Sequence, residues 1–315
     1  MAMHAGTTCN FKNHTTSKIT LIGGKKIAMK NKRILFNYLI LVSSFFIISH
    51  QVCMHASHSN LPPQKHVIGL WNHGFFSAFL SVLNHLAWAE KNNHIPIVYW
   101  DHRSLYYIHN GFNGSYNVWE YYFEPVSFLP YHLKDTPNNQ YALDNQYFHY
   151  ATTDLAARQH ANHLIKKYVK IKPSIQSKID YFYQKFMANK NIVGMHIRGT
   201  DKYIDEQPVP IERVMAAALE NADSNTQFFI ASDEQRLLEK ARELLPNHIV
   251  HYYQCNRSHN QQALHYHNPS PAQAGEDILI EVSLLAKCQT LIHTLSNVST
   301  AVLYFNPSIT SVLLR

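Results

Sequence analysis

Two stretches of the chain, 67–100 and 191–315, alternate short apolar runs with longer segments whose apolar positions recur every three to four residues. VIGLW (67–71) reads as a buried strand, and Asn72, His73 and Gly74 break the pattern after it. Over 75–91, Phe76, Phe79, Leu80, Leu83, Leu86, Ala87 and Trp88 fall at helical spacing, and 95–100 is a second apolar run. A strand, a helix and a strand in that order predict a βαβ unit with parallel strands. From 191 onward the pattern predicts strands over 192–197, 227–231, 248–253, 290–293 and 310–314. Helices are predicted between them, over 210–221, 234–245, 276–288 and 298–305, with a polar loop over 254–275. That is a doubly wound α/β domain with right-handed connections. Residues 151–188 read as helical, interrupted at Pro173. Residues 101–150 are aromatic and irregular, and their rings suit either packing over a helix or stacking on sugars.

Composition sets bounds on this picture. A chain of 315 residues with 46% hydrophobic content can build two domains with real cores and is not a disordered polymer. The net charge of +7 is concentrated at the start: residues 1–56 hold seven of the 28 basic residues and no acid, leaving 21 basic against 21 acidic in the remainder. The body therefore has no basic excess that would argue for nucleic acid. Five basic residues between Lys25 and Arg33 precede an apolar run over 34–48, the pattern of an export signal. That run is shorter than the roughly 20 residues a spanning helix needs. Met29 would give a conventional start, and Met54 is a poor residue three before a cleavage after Ala56. Both a cleaved signal peptide and an uncleaved anchor through 34–48 fit, and either predicts an exported or membrane-anchored body. The expected organisation is a leader over 1–56, a linker over 57–66, an N-terminal α/β domain over 67–185 and a C-terminal α/β domain over 186–315.

Candidate chemistry lies at the ends of the later strands. The segment NIVGMHIRGTDKYIDE (191–206) passes from a buried run into His196, Arg198, Asp201, Lys202, Asp205 and Glu206. Ser232, Asp233 and Glu234 follow the next strand, and Thr294 to Asn297 follow a third. In a parallel sheet these ends share one edge, where open α/β sheets bind ligands. Ser296 and Asn297 open a helix, so they could cap it, hold a phosphate, or both. Neither GxGxxG nor GxxxxGK[ST] occurs, which disfavours dinucleotide-dependent dehydrogenases and P-loop nucleotidases. Arg198 can instead grip a diphosphate with its fork. Asp277 and Glu281 stand four apart on the predicted 276–288 helix and share a face. A carboxylate there can accept from the N–H edge of guanine, while an acidic first turn is also ordinary helix-dipole chemistry. Cys255 and Cys288 are spaced for no metal, and one disulfide between them is possible. His259, His265 and His267 cluster without a completing acid or cysteine.

HIRGTDK (196–202), FIASDE (229–234), GEDILIEVSLLAKC (275–288) and HTLSN (293–297) together resemble the three motifs of GDP-fucose-dependent fucosyltransferases. The α1,6-fucosyltransferases, including the nodulation enzymes, are the nearer relatives and the protein O-fucosyltransferases the more distant. Segments 74–100 and 117–125 add to the likeness, which spans most of 67–307. The resemblance implies a GT-B fold, two Rossmann-like α/β domains facing a cleft. It implies an inverting transfer of fucose from GDP-fucose to a glycan or protein hydroxyl, with neither metal nor cofactor. Matched by position, Arg198 and Ser296 would meet the β-phosphate, with Asn297 beside them. His196 would meet guanine through its backbone, and Glu281, with Asp277 on the same helix, would read the guanine edge. Lys202 would support the leaving group, Glu206 would be the general base, and Asp201 and Asp233 would shape the loops. Two departures stand out: Gly199 replaces a second arginine of the α1,6 enzymes, and Glu281 stands where an aspartate is usual. Competing readings are a transferase using another nucleotide sugar, a catalytically silent nucleotide- or sugar-binding protein on the same fold, and an exported protein with merely solvated charged loops.

Overall fold

The computed structural model describes residues 64–70, 72–132, 134, 135, 137, 148, 154–200, 209–260 and 270–315. The chain divides into two compact units, Met1–Pro62 and Pro63–Arg315, and the described residues belong to the second. The leader with its apolar run over 34–48 lies outside them, and no described helix is long and apolar enough to cross a membrane.

The N-terminal half opens with β1 (Lys65–Ile68), α1 (Phe75–Lys91) and β2 (Ile95–Val98), and the two strands pair in parallel. β1 begins two residues before the apolar run that predicts it, and Trp71 lies outside the described residues. Apolar residues surround α1 almost completely, from Phe75 to Ala89, which is the signature of a helix buried in a core. The irregular segment after β2 contributes Trp100, Trp119, Tyr121, Tyr122 and Phe123 to that core, all nearly or fully buried. Residues 155–182 form two helices, α2 (Leu155–Tyr168) and α3 (Pro173–Phe182), with Pro173 at the start of the second, where its missing N–H costs nothing. A π-helical turn, Tyr183–Met187, extends α3.

The C-terminal half is a five-stranded parallel sheet of order β5–β4–β3–β6–β7. In chain order it runs β3 (Ile192–Ile197), α4 (Ile211–Glu220), β4 (Gln227–Ser232), α5 (Gln235–Glu243), β5 (Val250–His251), α6 (Pro271–Leu285), β6 (Thr290–His293), α7 (Asn297–Phe305) and β7 (Thr310–Leu313). β5 is shorter than the predicted strand, as befits an edge with a partner on one side only. α6 starts five residues earlier than predicted, because Pro271 supplies its first turn.

Alternation along the strands sorts the core into two layers. Val193, Met195, Ile197, Phe228, Ile230 and Ile292 face α4 and α5. Ile192, Phe229, Ala231 and Leu291 face the other way, into a cluster with α1, α2, α3, α6 and α7. Both faces are covered, which is why the strands read as continuous apolar runs. β3 lies close under α6: a Cβ at Gly194 would fall 2.9 Å from Cys288 Sγ and 3.1 Å from Leu285 Cδ2.

The two halves interlock through side chains. Tyr122 inserts against Gly275 of α6, where a Cβ would fall 2.3 Å from the Tyr122 hydroxyl, and that hydroxyl donates to the Ala272 carbonyl at 3.0 Å. Lys178 of α3 pairs with the buried Glu276. Asn162 of α2 donates to the Tyr304 and Phe305 carbonyls at 2.8 and 2.9 Å, satisfying the C-terminus of α7. The Tyr122 ring is fully buried and hemmed in by Phe75, so it cannot swing away from an added methyl. Gly275→Ala is therefore expected to lower unfolding free energy by about 1–3 kcal/mol despite alanine's better helix propensity, as read by denaturant titration.

Candidate functional site

The strand order reverses between β3 and β6, and neighbouring connections leave in opposite directions there. A crevice opens beyond the carboxyl ends of strands at such a point. A cavity of about 310 Å³ occupies it. Register aligns its floor: Ile197 pairs with Ser232, and His196 with both Ala231 and His293, so three strands end at one level.

One side of the cavity is electropositive. Arg198 leaves the end of β3 into it. Asn297 and Val298, the first two residues of α7, line it as well. α7 has a capping box, in which Ser296 Oγ accepts from the Ser299 N–H at 3.0 Å and Ser299 Oγ accepts from the Ser296 N–H at 3.1 Å. The cap uses the third N–H of the helix and leaves those of Asn297 and Val298 at the cavity. Ser296 itself is buried, with Oγ 3.5 Å from His196 Nδ1. The N-terminus of α1 lies on the same cavity through Gly74, Phe75, Phe76 and Ser77. Its first N–H, that of Phe75, donates to the Tyr106 hydroxyl at 2.9 Å. Gly74 has an ordinary φ of −54°, and a Cβ there would meet nothing within 4 Å. No packing demand explains that glycine, and its absent side chain enlarges the cavity.

The same cavity also carries acids. Asp277 and Glu281, one turn apart on α6, both line the cavity and are both buried. Burial raises the Asp277 carboxyl above its usual range, opposed by a 2.9 Å bond from Gln273 Nε2. Burial pushes Glu281 up to about 7, against the pull of Arg257. Arg257 Nη2 donates to Glu281 Oε1 at 2.8 Å, and both side chains are almost wholly inside the protein. Cys255 also lines the cavity, with Sγ 3.5 Å from the same oxygen. Cys255 and Cys288 are free thiols, so the disulfide that the sequence allows does not form.

Asp233 ties the loop after β3 to the end of β4. Its Oδ1 accepts from the Gly199 N–H and its Oδ2 from the Thr200 hydroxyl, both at 2.8 Å. A Cβ at Gly199 would fall 2.4 Å from Glu234 Oε2 and from Leu237 Cδ1, so a side chain there would require both of those side chains to move. His196 is buried and held neutral, its pKa lowered to about 3 by burial and then by Arg198 and His293.

Of the residues singled out in the sequence, His196, Arg198, Asp233, Asp277, Glu281 and Asn297 line one cavity, and Ser296 lies directly behind it. Asp201, Lys202, Asp205 and Glu206 lie outside the described residues, as do His265 and His267. Among the described residues no group of three or more His, Cys, Asp or Glu is placed to hold a metal ion. Sequence reasoning missed Tyr106 and Arg257, and weighed Cys255 only for a disulfide or a metal. Only Arg257 left a signal: it is the one Lys or Arg in the polar stretch 254–275, which holds no acid.

Asp233 accepts two bonds through two oxygens, so Asp233→Asn turns one acceptor into a donor facing a donor. The expected result is a loss of about 1–3 kcal/mol in denaturant unfolding and weaker binding of any anion at Arg198.

No family model and no curated protein sequence matches the chain. Solved structures do. A NodZ α-1,6-fucosyltransferase co-crystallised with GDP aligns over 81% of this chain and 96% of its own, with 16% identity and a TM-score of 0.54. The same enzyme soaked with GDP-fucose aligns over 78% and 93%, with 17% identity and a TM-score of 0.52. Fucosyltransferase NodZ from Bradyrhizobium aligns over 79% and 94%, with 17% identity and a TM-score of 0.52. The chain thus has the α/β fold of the GT-B fucosyltransferase NodZ, over nearly the whole length of that enzyme.

Proposed function

We propose that the cavity binds GDP-fucose and that the protein transfers fucose to a hydroxyl of a glycan or protein acceptor. One observation carries this reading: a single cavity at the strand-order reversal is lined by a cation, by two helix N-termini and by two buried carboxylates. A diphosphate suits the cationic lining, where Arg198 can fork onto its oxygens and backbone N–H groups at the start of α7 complete the shell. A base edge carrying adjacent N–H donors suits the carboxylates. Guanine offers such an edge and uracil does not. The likeness to NodZ structures with GDP and GDP-fucose supports the same assignment.

On this reading the acceptor oxygen attacks the anomeric carbon of fucose as its proton passes to Glu206. The bond from that carbon to the phosphate oxygen breaks, and GDP leaves with the electron pair. Attack opposite the leaving group inverts the anomeric centre. Arg198, Lys202 and the N-terminus of α7 offset the growing charge on the diphosphate, in place of a metal. His196, being neutral and buried, adds no charge and serves to shape the pocket. Export through the leader would place this chemistry outside the cytoplasm or on a membrane surface.

Calorimetric titration of the full chain with GDP and then UDP is the direct test. Selective GDP binding is expected, with a loss of about tenfold or more in Arg198→Ala. Equal affinity for GDP and UDP, or none for either, would overturn the assignment. With GDP-fucose and an accepted glycan, Arg198→Ala should lower kcat/KM by about a hundredfold or more. Glu206→Gln should keep GDP affinity and lose transfer; parallel loss of both would make Glu206 a structural residue.

A further inference from the structure

Arg257 is buried, does not line the cavity, and yet touches the residues that build it. Its Nε donates to the Ser232 carbonyl at 3.1 Å, Nη1 to the Cys255 carbonyl at 3.3 Å, and Nη2 to the Tyr253 carbonyl and to Glu281 Oε1, each at 2.8 Å. One guanidinium thus gathers the end of β4, the segment after β5 and the face of α6. Lysine could not replace it, because a single ammonium cannot reach acceptors spread around a planar fork.

We infer that Arg257 is a positioning residue that sets base specificity: it holds one oxygen of Glu281 inside the protein and keeps that side chain an anionic acceptor facing the cavity. The inference rests on the GDP reading of the cavity given above. Two facts separate this role from simple structural support. A backbone clasp needs no carboxylate, and the three carbonyls already engage all three nitrogens of the guanidinium; the fourth bond goes to the acid on the cavity wall. That acid is also hard to keep charged. Burial pushes it up to about 7, Asp277 one turn earlier pushes the same way, and Arg257 is the chief opposing influence. The other groups around it are the Cys255 thiol, which donates to it, and the Tyr253 phenol, itself pushed up to about 12 by burial and then by the nearby acids. The same cavity is lined by His196 of β3 and by Arg198, which follows that strand. A protonated Glu281 would present an O–H to the N–H edge of guanine and repel it.

The sign follows. In the free protein Glu281 holds a proton below about 7, and binding guanine requires its release. GDP affinity should therefore fall as pH drops, by up to about tenfold per pH unit. Removing the Arg257 charge moves the onset of that fall upward, by about one pH unit or more.

The experiment is calorimetric GDP titration of the full chain between about pH 5.5 and about pH 8.5, for wild type, Arg257→Met, Arg257→Lys and Glu281→Gln. Arg257→Met is expected to lose about tenfold or more in GDP affinity near neutral pH and to approach wild type at the alkaline end, with discrimination against ADP reduced in step. Arg257→Lys should show a smaller shift of onset, and Glu281→Gln a weak, flat profile. An onset unmoved in Arg257→Met, whether affinity is kept or is lost equally at every pH, would overturn the inference. If thermal melting shows that Arg257→Met does not fold, an unmoved onset in Arg257→Lys overturns it instead. Wild-type protein that binds GDP with no pH dependence would refute the role of Glu281 and leave the GDP site standing. Failure of wild type to bind GDP would refute both.

Discussion

The reversal of strand order between β3 and β6 governs the rest of this molecule. Connections that run one way from β3 put α4 and α5 on one face of the sheet, and those that run the other way put α6 and α7 on the opposite face. The gap between them cannot be filled by a strand or a helix, so polar ends of three strands converge on an unfilled space. Polar groups in such a place must find partners or remain unsatisfied at a cost of about 1–3 kcal/mol each. The observed pairings answer that demand. Asp233 takes up the backbone of the loop after β3, Ser296 takes up the start of α7, and Arg257 takes up three carbonyls and a carboxylate. Arg198, the starts of α1 and α7 and the acids of α6 line the cavity that results.

The N-terminal half contributes geometry more than chemistry. Its aromatic core seats Tyr122 against Gly275, while Asn162 satisfies the far end of α7. These contacts fix α6 and α7 at the ends remote from, or just before, the cavity-lining turns. The same half then brings the start of α1 to the cavity, with Tyr106 occupying its first N–H. A buried clasp between charged groups adds little net stability, because desolvation offsets the attraction. Lys178 with Glu276 and Arg257 with Glu281 are therefore better understood as fixing where helices and side chains sit than as sources of folding energy.

Much of this was legible in the sequence. The α/β alternation after 191 was plain because strands buried on both faces give unbroken apolar runs, and because each ends in a burst of polar residues. The strand ends could be placed on one edge for the same reason, since parallel strands carry their C-termini together. What was hidden depended on contacts distant in sequence. Arg257 falls within the polar loop over 254–275, and nothing local reveals that its fork closes on α6. Tyr106 was one aromatic residue among many in an irregular stretch. Gly199 was read as a missing charge, whereas the space it leaves is already filled by Glu234 and Leu237. The early start of α6 was obscured by Pro271, which ends helices at most positions but begins them at the first.

That missing charge bears on how a diphosphate could be held. A helix N-terminus presents the equivalent of about half a positive charge, from N–H groups that have no carbonyl of their own helix to bond. Two such ends reach this cavity, those of α1 and α7, in addition to Arg198. At α1 the Phe75 and Ser77 N–H groups already have partners, so the start of α7 contributes more than that of α1. The two devices differ in an important respect. An arginine side chain must be ordered when ligand arrives, whereas backbone N–H groups at the start of packed helices are already fixed and cost no further ordering. On the proposed reading, a diphosphate meets Arg198 together with backbone N–H groups already fixed at the start of α7, while Glu234 and Leu237 lie where a side chain at Gly199 would begin.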